Sequence, residues 1–283
     1  MADKASKPFV IQKRSNHGAR NPIVARLCVQ TGEVIKLADL AKTESDEVGK
    51  LYYTILPRSL LRCHDALTRL KEARTATVNE VAAIIDQGAR SAPFVVGLED
   101  EVNTFLYEAK LYLRDCLRVL NAFFGTDFKD ASRLLPYKGK DGAVIKWAMA
   151  KFGADAHFTQ MLRSEAPWVS DLIKFRNAVE HLDAAGEIVI ENYRTVPQGF
   201  IEPTWRREGN EPRQESAIYP DLAVFLDNLL TFGEDLLINC VRARRLSPYV
   251  EFTLIPEEDR DPECPVRVQA VLVGLPNLPL SHS

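Results

Sequence analysis

Arg176-Asn177-Ala178-Val179-Glu180-His181 is the one run in this chain whose residue types and spacing suggest chemistry. On an α-helix Asn177 and His181 stand four residues apart on one face, and Arg176 and Glu180 form a second such pair on the adjoining face. Histidine titrates near neutral pH and can take or give a proton. Arginine presents a planar fork of donors that matches a phosphate or carboxylate. Together they suit proton transfer at a phosphate. The bland reading uses the same residues differently: Arg176–Glu180 is then a surface ion pair, and His181 interacts with the helix C-terminal dipole.

The elements that position this run are helical. From 98 to 124, Val102, Phe105, Leu106, Ala109, Leu113, Cys116, Leu117, Leu120 and Phe124 repeat at helical spacing, and Gly125 follows as a C-cap. A second long helix is expected near 166–182, carrying Trp168, Leu172, Phe175, Val179 and Leu182, with Pro167 in its first turn and Gly186 past its end. A third runs over about 220–245, from Leu222 to Cys240, and closes in Arg242-Ala243-Arg244-Arg245. Shorter helices are expected near 58–74, 77–90 and 142–152, with Thr77 as a cap for the second.

The extended segments lie around these helices. IVARLCVQ and EVIKL, over 23–37, flank Thr31-Gly32 and predict a short hairpin. EIVIENYRTV and GFIEPTWRRE predict two strands inserted over 187–208, and YVEFTLI and VRVQAVLV a hairpin within 246–283. The fold class is therefore α+β and mainly α. Its divisions are a flexible basic arm at 1–22, a hairpin with helices at 23–97, a helical bundle with its insertion at 98–245, and a C-terminal hairpin and tail.

The Arg-Asn-x3-His pattern late in an apolar helix, with EDEVNTFLYEAKLYLRDCLRVLNAFFG at 99–125 before it, resembles the HEPN superfamily. The resemblance covers roughly 98–245, about half the chain. It implies a four-helix bundle that forms a homodimer with its motif helices facing each other. It further implies a metal-independent endoribonuclease of toxin–antitoxin or antiviral defence, acting on RNA and sometimes held by a neutralising or regulatory protein. In that resemblance Arg176 binds the scissile phosphate, His181 is general acid or base, and Asn177 orients them. Such cleavage needs no cofactor or metal, because the RNA's own 2′-hydroxyl is the nucleophile. The alternative is a non-catalytic dimerisation or binding module for RNA, nucleotide or protein.

Other groupings carry less. Arg194, Trp205, Arg206 and Arg207 interleave cations with an aromatic ring on the inserted hairpin, a pattern that contacts unpaired RNA bases and phosphates, although charges that keep an edge strand soluble look the same. Lys138-Gly139-Lys140-Asp141-Gly142 lacks the spacing of a P-loop and reads as a solvated turn. His64 falls on an apolar stripe and reads as a packed or half-buried residue, while His17, His157 and His282 have no carboxylate or cysteine at ligand spacing. Cys28, Cys63, Cys116, Cys240 and Cys264 are scattered and odd in number, which argues against a disulfide framework or zinc site.

The 283 residues are 46% hydrophobic, enough for a substantial core, and the net charge of -3 excludes a strongly basic nucleic-acid scaffold. No apolar run reaches the ~18 residues that a membrane-spanning helix needs, and Met1-Ala2-Asp3-Lys4 does not open a signal peptide. The expected location is the cytoplasm.

Overall fold

A computed structural model describes residues 16–86, 91–136, 139–180, 186–197, 199–209 and 211–274. Four long helices form its centre: α4 (Leu56–Asp86), α5 (Leu98–Phe124), α7 (His157–Glu180) and α8 (Ile218–Ala243). The helix α5 touches the other three, α4 and α7 both touch α8, and the arrangement is a helical bundle. Its sequence explains its place. Phe105, Leu106, Tyr112, Leu113, Cys116, Leu117 and Leu120 are fully buried, which removes apolar surface around most of the helix. Glu99, Asp100 and Glu101 lie in its first turn, where the helix dipole favours anions, and Gly125 ends it with φ 66°, its N–H donating to Asn121 O.

Gly233 sets the approach of α8 to α5. A side chain there would run into the Tyr112 ring, and the Gly233 carbonyl accepts a 2.7 Å hydrogen bond from the Tyr52 hydroxyl. The bundle is thus locked by two buried tyrosines as well as by leucines.

The segment expected as a hairpin over 23–37 is helical instead. It runs as α1 (Pro22–Val24), a π-helical turn (Ala25–Val29), α2 (Gln30–Val34) and a 3₁₀ turn (Ile35–Leu37). Asn21 caps it by accepting the Ile23 N–H at 2.9 Å, and Pro22 occupies the first turn, where its missing N–H costs nothing. Ile23, Leu27 and Thr31 are buried at four-residue spacing, so tertiary burial overrides the β-rich composition. Thr31-Gly32 lies inside the helix, and the small Gly32 leaves room for the Tyr53 hydroxyl.

The helices expected at 58–74 and 77–90 are one helix to Asp86, and residues 87–90 lie outside the described ones. Thr77 sits in its interior and caps nothing. The helix expected from 166 begins nine residues earlier, because Phe158 and Leu162 continue its buried stripe, and Pro167 is accommodated within it. Two smaller helices complete the α part, α3 (Lys42–Lys50) and α6 (Ala143–Phe152), the latter close to the expected 142–152.

The insertion is a long hairpin with an interruption. β1 (Ile188–Glu191) pairs antiparallel with β4 (Thr204–Arg207), and β2 (Arg194–Val196) pairs with β3 (Gly199–Ile201) beyond it. A further strand, β5 (Arg213–Ala217), gives the sheet the order β1-β4-β5. Its polar RQESA sequence has no apolar alternation, which is why the sequence did not announce it. The C-terminal hairpin is β6 (Val250–Leu254) with β7 (Val268–Leu272), as expected.

A buried charge network fastens this hairpin and the N-terminal helices to α8. Glu234, 1% exposed, accepts from Arg26 at 2.9 Å, from Gln30 at 2.9 Å and from Arg267, which also pairs with Asp235. Gln30 Oε1 in turn accepts the backbone N–H groups of Arg267 and Val268. Residues 1–15 lie outside the described ones. Within the rest of the expected arm, Arg20 pairs with Glu263 at 2.6 Å and Asn21 supplies the helix cap. No helix among the described residues is long and apolar enough to cross a membrane.

Candidate functional site

The C-terminal turns of α7 lie against the middle of α5. On α5, Tyr107, Lys110, Leu111 and Arg114 follow helical spacing and form one partly exposed stripe beside the core face. Arg176 rests its guanidinium over the Tyr107 ring, 5.3 Å from the centroid, and pairs with Glu180 at 3.2 Å; its side chain keeps 11% of its exposure. Lys110 reaches across from α5 to donate to Asn177 Oδ1 at 2.9 Å, and its Nζ lies 3.5 Å from a Glu180 oxygen. Asn177 is thus held by its carbonyl, which leaves the amide N–H groups to other acceptors.

Tyr107, Lys110, Leu111, Arg114, Arg176 and Glu180 line a cavity of about 140 Å³, closed on a third side by Asp130 and Ala131. Three cations (Lys110, Arg114, Arg176) and two carboxylates (Asp130, Glu180) border it. Hydrogen bonds from Ser132, aided by the nearby Lys110 and Arg133 charges, hold the Asp130 carboxyl below the usual range, so it is an anion at neutral pH. Arg114 is also paired with the buried Asp115 at 3.1 Å. The cavity therefore offers strong donors from two helices with most of their charge already balanced. His181, the third residue of the motif, lies outside the described residues.

Lys110, Tyr107 and Arg114 were not singled out from the sequence. The signal was present as polar residues recurring at three- and four-residue spacing on an otherwise apolar helix.

The hairpin residues have other duties. Trp205 is fully buried and stacked on Phe175, with ring centroids 4.2 Å apart and planes 11° from parallel, and its Nε1–H donates to Asp221 at 2.7 Å. Its ring has no face open to a base, which corrects the expected RNA contact. Arg207 is 4% exposed, donates to the Glu211 carbonyl at 2.9 Å and lies 5.3 Å from the Phe175 centroid. It too belongs to the packing between sheet and α7, and burial lowers its guanidinium below the usual arginine value. Arg194 and Arg206 do face solvent, but in ion pairs. Arg194 lies 2.8 Å from Glu191 and also pairs with Glu215, and Arg206 pairs with Glu191 and, at 2.8 Å, with Glu208.

A larger groove, about 580 Å³, opens between the N-terminal half of α7, α8 and the β6–β7 hairpin, with His157, Glu165, Asp235, Arg242 and Arg267 on its walls. Burial raises both Glu165 and Asp235 above the ordinary carboxyl value, Arg267 opposing this at Asp235 and a Trp168 Nε1–H bond opposing it at Glu165. His157 Nδ1 lies 2.9 Å from Asn239 Oδ1. This groove was illegible in the sequence, because its residues come from segments as far apart as His157 and Val268.

His17 also departs from expectation, since the fold brings its Nε2 to 2.9 Å from Asp65 Oδ1. His64 is half-buried, as its stripe suggested, and stands beside the same carboxylate. Cys63, Cys116 and Cys240 are buried with their thiols pushed well up, and burial pushes Cys28 up to about 11, so none is an activated nucleophile.

No protein-family model matches this chain, and no curated protein or solved structure matches it.

Proposed function

We propose that this protein is a metal-independent endoribonuclease of the HEPN-like kind, working as a homodimer in toxin–antitoxin or antiviral defence, with Arg176, Asn177 and His181 as its motif. The observation that supports this reading best is the meeting of Lys110 from α5 with Arg176 from α7 at one small cavity, with Lys110 also donating to the neighbouring Asn177. Donors preset around a phosphate-sized space stabilise charge that develops there at little reorganisation cost.

In this reading the substrate's 2′-oxygen attacks the adjacent phosphorus, the P–O5′ bond breaks, and a 2′,3′-cyclic phosphate and a 5′-hydroxyl result. The 2′-hydroxyl proton passes to a general base and a proton is returned to the leaving O5′. Arg176 and Lys110 stabilise the phosphorane oxygens, and Asn177 supplies an oriented N–H. One His181 per chain serves one proton transfer, and the second copy across a two-fold interface supplies the other. Glu180 must yield Arg176 and Lys110 to the phosphate as RNA enters. Arg194 and Arg206, the solvent-facing arginines of the hairpin, extend the contact along the strand.

One observation favours the alternative of a binding module without cleavage: Glu180 already pairs with Lys110 and Arg176, two of the three cations at the cavity. Fluorescence anisotropy with single-stranded RNA, on wild type, Lys110→Ala and Arg176→Ala, tests the site. The proposal expects both variants to weaken binding and flatten its salt dependence. Unchanged affinity and slope in both would remove this cavity from RNA contact.

A further inference from the structure

We infer that His17, His64 and Asp65 form a binding site for one divalent transition-metal ion of the zinc class, which staples the segment preceding α1 to α4. The ligand atoms come from chain positions 48 apart and meet at one carboxylate oxygen. His17 Nε2 lies 2.9 Å and His64 Nδ1 3.3 Å from Asp65 Oδ1, and one ligand atom from each residue falls within 4.8 Å of the others.

These separations suit a shared ion. Zinc holds nitrogen and oxygen ligands at about 2.0–2.2 Å, and tetrahedral geometry then sets neighbouring ligand atoms about 3.3–3.5 Å apart. Two of the three edges of such a face are within about 0.5 Å of that spacing, so the rings and carboxylate need small shifts rather than a change of fold. Two imidazoles and one carboxylate are also a donor set suited to zinc, with a position left for water.

The surroundings restrain the ligands without closing the site. The two imidazoles pack edge to face with centroids 5.2 Å apart, and Asn21 Nδ2 lies 3.4 Å from His17 Nδ1. His17, His64 and Asp65 keep 24%, 33% and 41% of their side-chain exposure, which leaves an entry path from solvent. Arg69, one turn along α4 from Asp65, directs its guanidinium to Glu101 through two hydrogen bonds of 2.6 and 2.7 Å. The competing cation is therefore neutralised on its other side.

The test is a titration of the EDTA-stripped, dialysed full chain with Zn²⁺, followed by calorimetry and by ¹⁵N chemical shifts of the histidine rings. The expected result is one equivalent of zinc, with metal-induced shifts at His17 Nε2 and His64 Nδ1 and a raised melting temperature. His17→Ala and Asp65→Ala should each weaken binding by roughly tenfold or more and lose the thermal shift. Cys28→Ser and Cys264→Ser should retain both. Absence of stoichiometric zinc, unperturbed His17 and His64 rings, or loss of binding only in the cysteine variants would overturn the inference. The ring shifts are read on wild type, so the outcome does not depend on the variants folding, nor on whether the protein cuts RNA.

Discussion

Replacing Trp205 separates packing from RNA contact on the inserted hairpin. The ring is fully buried, stacked on Phe175, edge-to-face with Phe225 at 6.3 Å, and its Nε1–H donates to Asp221. Truncating a buried Trp to Ala costs about 3–5 kcal/mol through lost burial and the cavity left behind. Asp221 keeps a 2.6 Å hydrogen bond from Ser216 and its 3.3 Å pairing with Arg213, so it is not left bare and adds little more. For a chain of this size each kcal/mol moves the melting temperature by roughly 2–4 °C, which places Trp205→Ala about 10 °C below wild type. Trp205→Phe keeps the stack and gives up the hydrogen bond to a charged acceptor, a loss of about 1.5–3 kcal/mol. Thermal denaturation by circular dichroism gives the stability, and RNA anisotropy below the transition gives the affinity. Unchanged affinity with the lowered melting temperature is the expected pair. A Trp205→Ala protein that melts with wild type but loses RNA affinity would refute the buried placement.

Glu234→Ala leaves the buried Arg26 without its carboxylate and Arg267 with Asp235 alone, so a loss of about 3–5 kcal/mol is expected in urea denaturation; a loss below ~1 kcal/mol would contradict the network. Burial raises Glu165, so the native state binds its proton more tightly than the unfolded chain. The resulting stabilisation is complete below the ordinary carboxyl value near ~4.3 and is lost as pH rises through the raised native value. Glu165→Gln should therefore gain on wild type between acidic and neutral pH in paired urea titrations, and a pH-independent difference would contradict the shift. Glu180→Gln removes the carboxylate that pairs Arg176 and Lys110 and should tighten RNA binding severalfold, with a steeper salt dependence; weaker binding would contradict the assigned competition.

What the sequence reveals depends on how local the cause is. The helices α5 and α8 could be read because their apolar residues repeat over seven turns, and the β6–β7 hairpin because its strands are apolar and flanked by Pro and Gly. The N-terminal hairpin was misread because Val and Ile composition carries less weight than the buried faces of Ile23, Leu27 and Thr31, which depend on helices far along the chain. Arg176 and Asn177 could be singled out by spacing, whereas Lys110, which orients Asn177 from 67 positions away, could not be paired with them. The meeting of His17 with Asp65 is likewise a product of the fold alone.

Cleavage of a mixed-sequence RNA with EDTA present, by wild type and by His181→Ala side by side, tests the central claim most directly. Fragments ending in 2′,3′-cyclic phosphate are expected from the wild type and none from the variant. Equal cleavage by both, or intact RNA with both across several substrates, would contradict it and leave the binding module as the reading of this site.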